Sequence, residues 1–289
     1  MGEKEHLSAL CLCVLMINTM LLTYRVRARN TSADSENKIH DDAVAASYGF
    51  RGGLVPGITV YAYMTVPIVE KFDLSWLERG SMQVKFHQPF YDGEAVIVRA
   101  DADETASPIK IPVTAAREDG TICASGLASV DDGLHRLGAL RLEDYPEAPL
   151  PQFETRPVAS SESLARGTVL GTLTHAASFA DRAVLESLDE RLPIYSGAEA
   201  VTHPFVLLRL ANEILMRNYK LGPWIHAASE LINFSAIREG EEIFVRGKVA
   251  ECFERKGHEF VVLDLLLSGN AGRVLQQVRH TAIYRPRCL

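Results

Sequence analysis

Hydrophobic and polar positions change period several times along the chain. Thr23 to Arg29 alternates polar with apolar, the period-2 pattern of a half-buried strand, and residues 21–30 read as the first strand. Pro56 to Phe72 is apolar on nearly every side, which predicts a helix enclosed by a core, with Pro67 kinking or ending it. Gly80–Phe86, Ala95–Asp103, Ile109–Ala116 and Thr121–Val130 read as strands, and Asp92-Gly93 and Asp119-Gly120 supply hairpin-turn chemistry. Residues 139–165 lose this pattern, are punctuated by Pro146, Pro149, Pro151 and Pro157, and read as a linker. A second apolar helix is predicted over Pro204–Tyr219 with Thr202 as its N-cap, followed by strands at Ile243–Phe253, Glu259–Ser268 and Val274–Tyr284.

The second half repeats the first. Pro56 and Pro204, Trp76 and Trp224, and Phe86 and Phe234 each stand 148 positions apart. After one deletion, Asp92-Gly93-Glu94 answers Glu239-Gly240-Glu241 and Val98-Arg99 answers Val245-Arg246, now 147 apart. A fixed period over this many positions indicates an internal duplication. The expected organisation is an apolar extension over 1–19, a first unit over 20–138, the linker over 139–165 and a second unit over 166–289.

Composition narrows the function classes. The chain has 289 residues, 47% hydrophobic and 23% charged, as in a globular protein. Its net charge of −7 and the lack of a basic stripe argue against a nucleic-acid partner. The five cysteines (Cys11, Cys13, Cys123, Cys252, Cys288) lack metal-site spacing and read as free thiols in a reducing compartment. Residues 7–22 are strongly apolar. They read as an upstream extension before a domain starting near Met20, as a membrane anchor at the lower edge of spanning length, or as a docked helix; the first reading goes with a cytoplasmic protein.

Candidate chemistry concentrates in Ser35 to Gly57, S-E-N-K-I-H-D-D-A-V-A-A-S-Y-G-F-R-G-G-L-V-P-G. A polar loop ends in His40, and a Pro-Gly pair then opens the apolar helix, whose first N–H groups have no internal partner and can hold a developing oxyanion. This stretch resembles the motif of the MaoC-like, (R)-specific enoyl-CoA hydratases, Asp-x-Asn-Pro-(Ile/Leu)-His followed by a Gly-Phe and a helix-opening glycine. Asn37, Ile39, His40, Gly49, Phe50 and Gly57 fit it; Ser35 stands where the family has its catalytic Asp, Lys38 where it has Pro, and Pro56 where it has the His before the helix glycine.

The resemblance implies an α+β tandem, or double, hotdog, each unit an antiparallel sheet wrapped round a central helix, with one motif per chain. It also implies a hydro-lyase that hydrates trans-2-enoyl-CoA or dehydrates 3-hydroxyacyl-CoA, taking an acyl-CoA or acyl-carrier thioester, with neither cofactor nor metal. In that reading His40 is the general acid/base, Asn37 orients it or the water, Glu36 replaces the missing Asp, and Gly57 N–H binds the thioester oxygen. A homodimer of two such chains is a further expectation. The alternatives are a non-catalytic acyl-CoA-binding hotdog protein and a hotdog thioesterase; the latter needs a carboxylate on the central helix, which offers only Glu70. Arg25, Arg27 and Arg29 share one strand face, read as solvated in preference to a CoA phosphate contact. His87, His203, His226, His258 and His280 show no useful spacing and are expected at the surface or the core edge.

Overall fold

The computed structural model describes residues 19–103, 107–130, 140–238 and 240–287. The chain runs β1 (Thr19–Arg27), α1 (Asp42–Ser47), α2 (Gly57–Arg79), β2 (Ser81–Phe86), β3 (Ala95–Asp103), β4 (Ile109–Ala116) and β5 (Ile122–Val130). It continues with β6 (Leu173–Ala176), α3 (Phe179–Leu188), α4 (Pro204–Asn218), β7 (Ile225–Asn233), β8 (Glu242–Arg255), β9 (His258–Ser268) and β10 (Val274–Arg285). All ten strands join one antiparallel sheet in the order β1-β3-β4-β5-β2-β7-β10-β9-β8-β6.

That order reads the same from either end once β6 is matched to β1 and β7–β10 to β2–β5. The register at the centre gives the symmetry directly. Met82 pairs with Leu231 and Gln83 with Glu230, and Glu230 and Leu231 stand 148 positions after Met82 and Gln83. Each residue therefore faces its neighbour's repeat mate, and a local two-fold axis passes between the two pairs. The duplication read from sequence is thus built into one hydrogen-bonded ladder.

Alternation explains the strands and all-round apolarity the helices. On β3, Val96, Val98, Ala100 and Ala102 point inward while Arg99 and Asp101 face out. Helix α2 buries Tyr61, Met64 and Ile68, and α4 buries Val206, Leu210 and Ile214, in one continuous apolar core with the inner face of the sheet. Each such side chain contributes about 1.5–3 kcal/mol by leaving water. The outward Arg25, Arg27 and Arg29 are exposed.

Several expectations are corrected. The first strand is Thr19–Arg27, not 21–30, so Met20 lies inside it. Residues 19–22 of the 7–22 stretch belong to this strand, and the remainder lies outside the described residues. No helix among the described residues is long and apolar enough to cross a membrane. Helix α2 passes through the buried Pro67 because packing on nearly every side holds it. Its break comes at Asp73, at φ 50° and ψ −137°. Residues 140–165 connect the repeats but are packed: Tyr145 Oη donates to Asp264 Oδ1 (3.0 Å) and accepts from Gln277 Nε2 (3.0 Å). Cys123 and Cys252 are free thiols.

Candidate active site

Local geometry fixes His40 tightly. Asn37 caps the short 3-10 turn Lys38–His40, its Oδ1 facing Ile39 N–H (3.4 Å). The same carboxamide reaches into the second repeat, where Nδ2 donates to Trp224 O (2.9 Å) and Oδ1 accepts from Trp224 N–H (3.1 Å). Asn30 Nδ2 donates to His40 O (2.8 Å), and Gly53 lies so close that a Cβ there would stand 2.1 Å from that oxygen. Gly53 is therefore a glycine for want of space, and its N–H is held by Asp42 Oδ1 (2.7 Å).

His40 Nδ1 stands 2.7 Å from Leu54 O. A carbonyl only accepts, so Nδ1 carries the proton and Nε2 presents its lone pair. Burial lowers the imidazole pKa against the opposing pull of Leu54 O. The ring is therefore neutral near pH 7 and able to take up a proton. Asn37 Nδ2 approaches Nε2 at 3.4 Å, a long contact.

Helix α2 begins beside it. Pro56 is the N-cap and offers no side-chain acceptor; its carbonyl takes Thr59 N–H (2.9 Å) and Val60 N–H (3.2 Å). Gly57, the first helical residue, sits tight between both repeats: a Cβ there would meet His226 Nδ1 of the second at 3.0 Å and Phe86 of the first at 3.1 Å. Together Asn37, His40, Leu54, Gly57, Phe86 and His226 line a mainly apolar cavity of about 250 Å³. A second cavity of about 350 Å³, lined by Ser35, Ile58, Arg209 and Glu213 among others, adjoins it. The two share Asn37, His40, Pro56, Asn212 and Trp224.

The structure thus brings His40, Asn37 and Gly57 to one cavity. Glu36 is placed elsewhere: its carboxylate, 59% exposed, pairs with the buried Arg156 (3.4 Å) and borders a cleft with Met216 and Tyr219. Ser35 Oγ donates to Asn37 O within its own loop (3.3 Å) and lines the second cavity. Sequence reasoning missed Asn212, Trp224 and His226, all from the second repeat. Trp224 was visible only as a repeat marker. His203, His226 and His280 are buried, not at the surface or core edge. His226 Nε2 meets Ser229 Oγ (2.8 Å), which meets His280 Nδ1 (3.1 Å), and a small shared hydroxyl keeps both rings satisfied on one side within the core. No cluster of three or more metal-ligating side chains occurs among the described residues.

No family model matches the chain, and no curated protein matches it. Solved structures do. A double-hotdog protein from Mycobacterium tuberculosis superposes with a TM-score of 0.64 at 14% identity, covering 91% of this chain and 95% of that one. A MaoC domain protein described as a dehydratase, from Chloroflexus aurantiacus, gives 0.61 at 10% identity over 93% and 95%. A protein described as an oleoyl thioesterase, from Lactobacillus plantarum, gives 0.52 at 10% identity over 93% and 98%. Mirrored five-strand halves, each wrapped on its own helix, and these likenesses agree: the chain has the double hotdog fold.

Proposed function

We propose that the protein is an acyl-thioester hydro-lyase that adds water to a trans-2-enoyl thioester and removes it from the 3-hydroxyacyl product. The carrying observation is His40: a partly buried imidazole with Nδ1–H committed to Leu54 O and Nε2 left as an acceptor with one long contact, Asn37 Nδ2 at 3.4 Å, in a mainly apolar cavity beside an open helix N-terminus. His40 Nε2 takes one proton from water as the water oxygen bonds to C3. The C2=C3 electrons move toward the carbonyl, and Gly57 N–H holds the enolate oxygen. The imidazolium then returns its proton to C2, so the net change is addition of one water. Asn37 positions the His40 loop against the second repeat.

The binding-protein reading has one observation in its favour: no carboxylate lines the 250 Å³ cavity among the described residues. Glu36 faces Arg156, and Glu70, the carboxylate a thioesterase would need, borders a separate cavity with Asp73 and Leu192. Hydration of crotonyl-, octenoyl- and branched enoyl-CoA separates the readings. His40→Ala should lower turnover by on the order of 10²–10⁴-fold with the fold intact. Ser35→Asp, which puts a carboxylate at the second cavity, should raise it. Wild type and Ser35→Asp both inert on every substrate, with acyl-CoA still bound, would leave the binding protein as the answer.

A further inference from the structure

Resting on the hydro-lyase reading, we infer that Asn212, contributed by the second repeat, is a positioning residue that holds the reacting water, or the substrate's 3-hydroxyl, against His40.

The two cavities meet at five residues, and the polar groups they bring there are unequal. Asn37 has its carboxamide engaged by both backbone groups of Trp224, and Pro56 brings no polar side chain. The remaining three carry His40 Nε2, Asn212 Oδ1 and Trp224 Nε1. Asn212 Oδ1 and Trp224 Nε1 are buried and have no hydrogen-bond partner among the described residues. Unpaired buried polar atoms are costly in a folded protein, and two on residues that line both cavities point to a shared partner. One of them accepts and the other donates, while His40 Nε2 accepts because Leu54 O fixes the proton on Nδ1.

Two acceptors and one donor are the complement of a single water molecule. Such a water gives one hydrogen to His40 Nε2 and the other to Asn212 Oδ1, and takes Trp224 Nε1–H on one lone pair. Its remaining lone pair is then free to attack. The 3.4 Å approach of Asn37 Nδ2 to Nε2 is long enough to yield to this contact. A 3-hydroxyl fits the same place in the reverse direction, its hydrogen on Asn212 Oδ1 and its oxygen toward His40 Nε2, which returns to it the proton taken from C2 as the C3–O bond breaks. The inference accounts for the lost carboxylate. Where the motif expects an acid beside the histidine, the second hydrogen of the water is held from across the repeat boundary by an amide.

The test uses the full chain and an enoyl-CoA that the wild type turns over. Asn212→Leu keeps approximate size and removes the acceptor; kcat should fall on the order of tenfold to a hundredfold with KM changed less than about twofold. Asn212→Asp keeps an acceptor of the same size and guards against a folding failure of the first variant. It should retain turnover, and its carboxylate should raise the His40 pKa, moving the acid limb of the kcat–pH profile upward by about one unit or more. A kcat for Asn212→Leu within about twofold of wild type, or an unmoved acid limb in Asn212→Asp, overturns the inference while leaving the hydro-lyase reading standing. A wild type inert on every enoyl thioester removes that reading and the inference together.

Discussion

The two central helices begin alike and end up in different surroundings. In the second repeat the opening is His203-Pro204-Phe205; in the first, 148 positions earlier, it is Val55-Pro56-Gly57. His203 turns its own Nδ1 onto Phe205 N–H (3.0 Å) and so caps α4 internally, while Pro56 leaves α2 without a side-chain cap. Phe205 is buried where the first repeat has Gly57, whose missing side chain leaves the head of α2 facing the cavity. The residue 148 positions after His40 is Leu188, the last of α3, buried in the core. A second-repeat carboxylate, Glu190, holds His203 Nε2 at 3.3 Å with both side chains enclosed. One mouth is filled by its own side chains and the other is left as a cavity. In a duplicated fold, then, whether a helix N-terminus opens on a cavity depends on what occupies the space before it, and three positions decide that here.

Transplanting the closed mouth onto the open one should have the largest effect. Gly57→Phe puts the second repeat's residue at the head of α2, where even a Cβ stands 3.0 Å from His226 Nδ1. The ring has to enter the 250 Å³ cavity. Turnover of an enoyl thioester, or acyl-CoA binding measured by calorimetry, should drop by at least about a thousandfold, since the ring fills the cavity and shuts the substrate off from the backbone N–H of position 57. Retained binding in a folded Gly57→Phe protein would show that the ligand sits elsewhere.

The next effect is on stability and falls on the closed mouth. Burial alone would raise the Glu190 carboxyl, but the hydrogen bond and charge of His203, with Leu192 and Arg191 N–H, hold it below the usual carboxylate range. His203→Leu removes that partner and the N-cap acceptor together, with an expected cost of about 3–5 kcal/mol. In urea unfolding the double variant His203→Leu/Glu190→Leu should lie nearer the wild type than the single one, because a buried pair replaced by apolar groups is often neutral. Simple additivity of the two single effects would show that the pair is not coupled.

How much of this was legible from sequence differs by element. Strands β3 and β4 were read to their end residues because Val98 to Asp103 and Ile109 to Ala115 alternate, with Asp92-Gly93 before the pair and Asp119-Gly120 after it. The strand at the repeat interface, β7, was not. Its His226-Ala227-Ala228-Ser229 segment mixes small and polar residues, and a register shift opposite Thr281/Ala282 breaks its period. The loop carrying Asn37 and His40 was found through its motif, and Gly57 through the Pro-Gly pair. Asn212, Trp224 and His226 could not be found that way. They reach the cavity across the two-fold interface, and nothing in local spacing records which residues of one repeat face the loop of the other. Glu36 shows the converse: adjacent in sequence to the expected acid position, it is drawn away by Arg156, a residue 120 positions later.

The smallest effect sharpens the comparison at that interface, where the second repeat sends His226 to the cavity and keeps His280 behind it. Burial lowers His226 first, the neighbouring His280 adds to this, and the Ala228 backbone opposes it. Burial alone takes His280 down to about 3. In the unfolded chain both return to roughly 6.5, so below that pH the unfolded state binds more protons and stability rises with pH. The contribution is complete above about pH 6.5 and is lost progressively as pH falls toward 3. Each histidine adds up to about 1.4 kcal/mol per pH unit in that window. His280→Leu removes one of the two groups, so the fall in unfolding free energy between pH 6 and pH 5 should be shallower by about one proton's worth. Chemical denaturation at the two pH values measures it. An unchanged slope would mean that His280 is already protonated in the folded protein, which a fully buried ring beside the His226 imidazole, with the Ser229 hydroxyl on Nδ1 and no partner for Nε2 among the described residues, gives no means to support.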